Sequence, residues 1–471
     1  MLRPLAAVLA FGLAVGVAGP ARSAEPPVLA SPGQHTDSYY PAVGNPGVDV
    51  GSYALDLRWR PTTRTLDGVA RLRLVPAQDG SFRLDLSHRL RVATLTVRDV
   101  RSGTALRSTF SRVGWRLEVT SPGLRAGAPY AVTIAYRGRP APTEAPSSRQ
   151  DMSGLGWHTT RIGQVWAMQE PYGAFTWYPV NDHPSDKATY DVRLDVPRRW
   201  VGVSNGRLVR RTVSHGRTVT RFASRDPMAS YLATVAIGPY RRYTQTGPHG
   251  IPLTYWVPRD KPEYLAPLKA TPATLRWLES RLGPYPFDRA GVVVTPSGSA
   301  METQTMITFG AENYRHGRRE VQQTIAHELA HAWYGDTVTP DDWSDLWMNE
   351  GMAMYVEAAY STARGWRPAA YWKREFSRSD ALWRELYGAP GDYHRDQFAQ
   401  INVYYCTARM LVRLREVLGA RLFDELMRRW PQEHRNTVQD RRSYVAWLNA
   451  NTGRELEPFF DHWLTSPTPP A

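Results

Sequence analysis

A chain of 471 residues is long enough for two or three domains with sizeable buried cores. Its hydrophobic content of 42% and its 17 Trp exclude a disordered chain. The formal charge is +14, but all except four of the 58 basic residues are Arg, and these are spread along the chain with no recognition motif. The expectation is therefore no nucleic-acid partner, only a general attraction for anionic surfaces or peptides.

Residues 1–24 read as a secretory signal peptide. Arg3 gives the positive start, Leu5 to Val17 is apolar and uncharged but short for a membrane span, and Ala21, Ser23 and Ala24 offer small residues for cleavage. The expected location is extracellular, with an uncleaved anchor as the alternative. No Cys follows the apolar stretch to carry a lipid, and no later segment is apolar enough to span a bilayer, so no stable membrane insertion is expected after cleavage. Residues 25–50, rich in Pro, Gly and Ser, are expected to form a mobile lead-in.

From 51 to 243 the pattern is that of a β domain. Tyr53/Leu55/Leu57/Trp59, Ala70/Leu72/Leu74, Phe82/Leu84/Leu86, Trp115/Leu117/Val119 and Tyr130/Val132/Ile134/Tyr136 alternate at period two with turn residues between the runs. A Pro-rich loop covers 139–148, and strands resume at 190–196, 202–209 and 231–237. The alternation predicts antiparallel strands. Residues 244–465 read as an α+β domain that becomes mostly helical. Strands are expected at 251–257 and 291–295, and helices at 266–282, 344–360, 371–387, 404–418 and 421–430. Residues 466–471 form a short extended tail. Cys406 is the only cysteine, which excludes an intramolecular disulfide and suggests a small buried apolar residue.

The chemistry concentrates between 323 and 351. His327 and His331 lie four apart with Glu328 between them, inside the apolar helical pattern Val321, Ile325, Leu329, Trp333 that ends at Gly335. Residues four apart on a helix share a face, so two imidazoles can reach one ion. Eighteen residues separate His331 from Glu350, which lies on a second helix and can add a carboxylate. Two His and one carboxylate around an open fourth position is the pattern of a catalytic zinc site, one ion per chain; a closed structural site uses four protein ligands. Glu328 is offset from the histidine face and suits a general base.

Three further segments carry a resemblance. Gly298 to Met306 contains Ala300, Met301 and Glu302 in the positions of a Gly-Ala-Met-Glu-Asn motif, with Ser299 and Thr303 replacing Gly and Asn. Gln169 to Thr189 is similar to a long signature that includes Glu170, with Met168 where Gln is common. Val403 to Leu411 resembles a segment carrying a catalytic Tyr, with Tyr404 in register, Tyr405 as the fallback, and Thr407 in place of Gly. With the zinc motif, these segments resemble the aminopeptidase N family of gluzincins, which includes leukotriene hydrolase.

The resemblance implies a saddle-like N-terminal β-sandwich followed by a thermolysin-like catalytic domain. It implies zinc held by His327, His331 and Glu350, Glu328 as general base, and Tyr404 stabilising the oxyanion. Glu302 and Glu170 would bind the free amine of a peptide substrate. The expected function is a secreted zinc aminopeptidase. The alternatives are an epoxide-hydrolase-like enzyme on the same scaffold and an inactive peptide-binding module. Crowding of Glu328, Glu350, Glu302 and Glu170 predicts raised carboxyl pKa values. Partners that orient the histidines are expected nearby, with Asp336, Asp341, Asp342 and Asp345 as open candidates.

Overall fold

Alternating side chains build the first half of the molecule. In the strand Val48–Arg60, Tyr53, Leu55, Leu57 and Trp59 are buried and the residues between them are not, as the two-residue repeat of a strand requires. A bulge between Val50 and Ser52 shifts the phase, so Val48 and Val50 also point inward. The computed structural model describes residues 35–152 and 154–470, so the signal peptide assigned to residues 1–24 lies outside the described residues.

The main sheet runs in the order Arg207–Ser214, Arg217–Ala223, Thr189–Pro197, Val48–Arg60, Thr65–Pro76, Tyr130–Gly138, Leu90–Asp99 and Ala105–Leu106. One neighbouring pair departs from the antiparallel expectation: Val48–Arg60 runs parallel to Thr189–Pro197. Parallel neighbours need a long crossover, and residues 61–188 supply it. Smaller sheets pack against the main one. One joins Ser81–Asp85, Arg116–Thr120 and Thr109–Val113; the other joins Val201–Ser204, Val235–Gly238, Val165–Met168 and Gly156–Thr159. Leu55, Leu72, Leu84, Leu117, Val132 and Trp157 from these sheets share one apolar core.

The described part of the expected lead-in is held in place. The Asp37 carboxylate accepts from the backbone N–H of Tyr40 (2.7 Å) and Trp343 (2.8 Å), Ser38 donates to Asp342 (2.6 Å), and the Tyr40 hydroxyl donates to the Arg395 carbonyl (3.0 Å). Pro, Gly and Ser mark turns as readily as mobile chain, and here long-range side-chain bonds fix the turns.

A second sheet runs Tyr240–Thr246, Pro252–Pro258, Ala290–Thr295, Ile307–Gly310, antiparallel at the first pair and parallel thereafter. The boundary drawn at 243 therefore falls inside a strand, one that hydrogen-bonds forward along the chain. Helices follow, and three of them matter for the site: Arg318–Ala330, Trp347–Ala363 and Thr407–Leu418. The helix expected over 371–387 is broken at Ser379 into Ala369–Arg378 and Asp380–Tyr387. The break lets buried Asp380 bond both Arg384 (2.6 Å) and Arg409 (2.7 Å), a local propensity overridden by buried charge pairing.

Candidate metal centre and active site

Val321, Ile325 and Leu329 bury one stripe of the helix Arg318–Ala330 and leave the His327 face toward Trp347–Ala363. His331 lies one residue past the last helical one but keeps helical angles (φ −58°, ψ −24°), so the four-residue spacing holds its geometry. The chain then turns at Gly335, whose φ of 133° suits glycine. A Cβ there would also approach the His331 Nδ1 at 3.3 Å.

Glu350 sits in the first turn of Trp347–Ala363, where the helix dipole favours a carboxylate. Its Oε2 is 3.2 Å from His327 Nε2 and 3.4 Å from His331 Nε2. Ligand atoms of all three residues fall within 4.8 Å of one another. The His331 Nδ1 lies 3.1 Å from the Tyr334 carbonyl, which places a hydrogen on Nδ1, so that Nε2, which donates to Glu350 when the ring is protonated, presents its lone pair to the cluster when the ring is neutral. The His327 Nδ1 lies 3.0 Å from Glu357 Oε2, and Gln323 holds the other Glu357 oxygen at 2.6 Å.

None of the four aspartates considered as orienting partners turns its carboxyl to the imidazoles. Asp336 meets His331 through its backbone N–H (2.9 Å), Asp341 and Asp342 pair with His35, and Asp345 accepts from Trp347 Nε1 and the Arg441 N–H. The signal for Glu357 was its place seven residues, two turns, beyond Glu350 on the same helix face.

Charges set the carboxyls apart. Burial would raise Glu350, but the two imidazoles outweigh it and hold the group well below the usual carboxylate range. Glu328 is pushed up to about 8, by burial first and by Glu302 and Glu350, against the pull of both histidines. Burial, with the charge of Glu302 and its neighbours, lifts Glu170 well above the usual value. Glu302 is also raised, by burial and Glu350, although His331 opposes the shift. The rises at Glu328, Glu302 and Glu170 follow the crowding expected from the sequence, whereas Glu350, expected to rise with them, is held low by the histidines instead.

Glu302 lies between the strands Ala290–Thr295 and Ile307–Gly310. Its segment is pinned by the Met301–Thr308 backbone pair (2.9 and 3.0 Å) and by the Asn205 amide on the Gln304 carbonyl (2.8 Å). Glu170 follows the strand Val165–Met168. The adjacent Gln169 amide donates to the Ser230 and Ala233 carbonyls and accepts from Trp177 Nε1. Glu302 and Glu170 each keep a buried Oε1 with no hydrogen-bond partner. Both line one cavity of about 520 Å³ with His327, Glu328, His331 and Glu350.

Tyr404 enters the same cavity from a π-helical turn, Asn402–Cys406, its ring 6.0 Å from the His327 ring. Such turns often occur at functional sites. Burial and the Glu350 charge raise its phenol well above the usual value. Tyr405, the fallback, turns away and packs on Phe376 and Trp383, both at 5.3 Å. Thr407, which replaces the expected Gly, faces Gly351, where a Cβ would meet Thr407 Cγ2 at 2.2 Å. The close approach of these two helices thus rests on the glycine of the partner helix. Cys406 is fully buried, as a small apolar residue would be. Arg149, from the end of the Pro-rich loop, donates to the Tyr404 hydroxyl at 3.1 Å. No spacing rule linked these two positions, which are 255 residues apart.

Two imidazole nitrogens and one carboxylate oxygen, converging with one side left open, form a donor set that suits zinc. The carboxyl of Glu328 lies beside this set, within 4.8 Å of a His331 ligand atom, and the two unpartnered acids suit a cationic group. Among the described residues, no helix is long and apolar enough to cross a membrane.

Residues 51–232 match the peptidase M1 N-terminal domain and residues 267–463 match the peptidase family M1 domain. Glutamyl aminopeptidase of Rattus norvegicus is 31% identical over 203 residues, 40% of this chain and 21% of that protein. Endoplasmic reticulum aminopeptidase 1 of Homo sapiens is 26% identical over 330 residues, 65% and 34%. The chain thus spans a fifth to a third of the length of these curated relatives. Among solved structures, an M1 zinc metallopeptidase from Deinococcus radiodurans superposes with a TM-score of 0.81 at 27% identity, covering 92% of this chain and 97% of that one. A mutant M1 zinc metallopeptidase from the same organism, bound to a Tyr-Ser-Ala substrate, superposes at 0.80 with 27% identity, covering 92% and 98%.

Proposed function

The chain belongs to peptidase family M1, and on that premise we propose that it is a zinc-dependent aminopeptidase that removes the N-terminal residue of peptides. The observation that carries this reading is the pairing of two features in one cavity. His327, His331 and Glu350 gather around a point, and in the same cavity Glu170 and Glu302 hold buried oxygens without partners. A general peptide groove has no use for two such acids. A protonated α-amine satisfies both, and each charge-assisted hydrogen bond contributes about 1.5–3 kcal/mol. The solved M1 metallopeptidase with a bound Tyr-Ser-Ala substrate supports the same reading by analogy.

Zinc, when bound, supplies Lewis acidity that polarises the scissile carbonyl and acidifies a water. His327, His331 and Glu350 hold it. Glu328 takes the proton of the attacking water and returns it to the leaving amine. The Tyr404 hydroxyl donates to the oxygen on which negative charge develops. Glu302 and Glu170 grip the ammonium, fix the distance from chain end to reacting carbonyl, and regain ionisation from its positive charge. On the leader reading of residues 1–24, the enzyme acts outside the cell.

Aminoacyl reporters with free and N-acetylated amines, assayed with and without chelator, test this function. The expected result is cleavage of the free-amine set only, lost on chelation and restored by zinc. Equal rates on acetylated reporters would reject the aminopeptidase reading, and a zinc content near zero in active protein would reject the metal assignment.

A further inference from the structure

Hydrolysis needs the Tyr404 hydrogen to point at the reacting oxygen, and a phenol free to rotate does not guarantee this. We propose that Arg149 is a positioning residue that occupies the acceptor side of the Tyr404 oxygen and directs its hydrogen into the site. This role presupposes the aminopeptidase reading above.

The loop that ends in Arg149 is clamped to the segment that leads into the Tyr404 turn. The Phe398 N–H donates to the Pro146 carbonyl (2.8 Å), and Ser147 donates back to the Phe398 carbonyl (2.8 Å). Ser148 donates to Gln397 (2.7 Å) and accepts from Gln400 (2.8 Å). The guanidinium is then fixed on three sides. Nε and Nη2 bond Asp151 at 3.0 and 2.6 Å, while Nη1 reaches the Ala399 carbonyl at 2.8 Å and the Tyr404 hydroxyl at 3.1 Å. Ala399 has a φ of 52°, a left-handed conformation that alanine rarely adopts. Such strain persists where the surroundings over-determine it, and here it presents the carbonyl that Arg149 holds.

A guanidinium has donors only. Tyr404 must therefore accept from it, and the phenolic hydrogen is left for an acceptor on the cavity side, where the Glu350 carboxylate hydrogen-bonds the hydroxyl. The fixed cation also favours charge drawn onto the phenol oxygen as it bonds an oxyanion. Lysine, a point charge on a flexible stem, cannot span Asp151, Ala399 and Tyr404 together.

The test is steady-state kinetics of zinc-loaded Arg149→Met, Tyr404→Phe and the double variant on one free-amine reporter. The expected result for Arg149→Met is a fall in kcat of about 10–100-fold with KM little changed. The double variant is expected to be no slower than Tyr404→Phe alone. Added guanidinium at millimolar concentration should restore part of the Arg149→Met rate and none of the Tyr404→Phe rate. Losses that simply add, or a loss confined to KM, would overturn the proposal and leave the aminopeptidase reading standing. A wild type inactive on every free-amine reporter would remove that reading and the proposal with it. If Arg149→Met does not fold, Arg149→Lys and Asp151→Asn carry the test: each is expected to lower kcat by a smaller factor, again not additive with Tyr404→Phe, and additivity there has the same adverse meaning.

Discussion

Glu328 and Glu350 are both buried glutamates within the field of the same two histidines, yet their surroundings push them in opposite directions. Imidazoles against its oxygens hold Glu350 low, as a ligand requires, while burial and other acids lift Glu328 to about 8, nearer the range of a working base. Glu328→Gln keeps the shape and removes the basicity. It is expected to retain zinc by metal analysis and to lose turnover by about 10²–10⁴-fold; wild-type rates in a zinc-loaded variant would end the assignment. Glu302→Gln should act on binding instead. One charge-assisted bond, about 1.5–3 kcal/mol, should be lost from kcat/KM on free-amine reporters, and an equal loss on blocked ones would show that Glu302 is no amine anchor. The ligands were legible in the sequence because a four-residue repeat places both imidazoles on one face whatever the tertiary structure. Glu357 follows a similar rule, two turns on from Glu350. Arg149 obeys none, because its contact with Tyr404 is made by a loop docking on a helical turn far along the chain.

Helices and strands as units were legible where one local pattern governed them. Period-two alternation marked Tyr53 to Trp59 of the strand Val48–Arg60, though not its start, and apolar residues at helical spacing marked Arg318–Ala330. The parallel pairing of Val48–Arg60 with Thr189–Pro197 and the break at Ser379 were not legible, since each depends on partners far along the chain. The contact of Trp347–Ala363 with the Tyr404 segment is of the same kind. Gly351 leaves no room for a Cβ, which would lie 2.2 Å from Thr407 Cγ2 and 2.3 Å from its Cβ. Gly351→Ala should therefore force the two elements apart. Overpacking of this kind costs about 1–3 kcal/mol. Because Glu350 is the preceding residue and Tyr404 lies one turn from Thr407, kcat should fall by roughly 10²-fold as ligand and phenol shift. Adding Thr407→Gly should recover part of the lost kcat by reopening the space. Thermal melts and kinetics on the single and double variants check this; a Gly351→Ala protein with wild-type melting and kcat would show that the contact does not set the geometry.

Across the whole molecule one apolar core runs from Val48 in the first sheet to Leu464 in the last helix, and buried carboxyls tie its parts together. Asp37 bonds the start of the described chain to Trp343, Asp345 bonds Trp347 and Arg441, and Asp85 accepts from the N–H groups of Gly44 (2.8 Å) and Asp182 (3.3 Å). Burial raises all three, Asp37 and Asp345 to about 6 and Asp85, with help from the Asp182 charge, to about 7. Composition gave no sign of this, since nothing in a count of acids tells which are buried. A carboxyl raised in the folded state holds a proton that the unfolded chain, near 3.8, has released. Its contribution to stability is complete below pH 3.8 and is lost as pH rises through the folded value, here about 6–7. Every tenfold gain in proton affinity on folding is worth about 1.4 kcal/mol, so these groups make the zinc-loaded protein less resistant to urea at about pH 7.5 than at about pH 5. Asp85→Asn keeps a carbonyl for the two N–H donors and removes the titration. The difference in unfolding free energy between wild type and Asp85→Asn should therefore move steadily against the wild type from about pH 4 to about pH 7.5. Parallel urea midpoints for the two proteins over that range would mean that Asp85 does not change its protonation on folding.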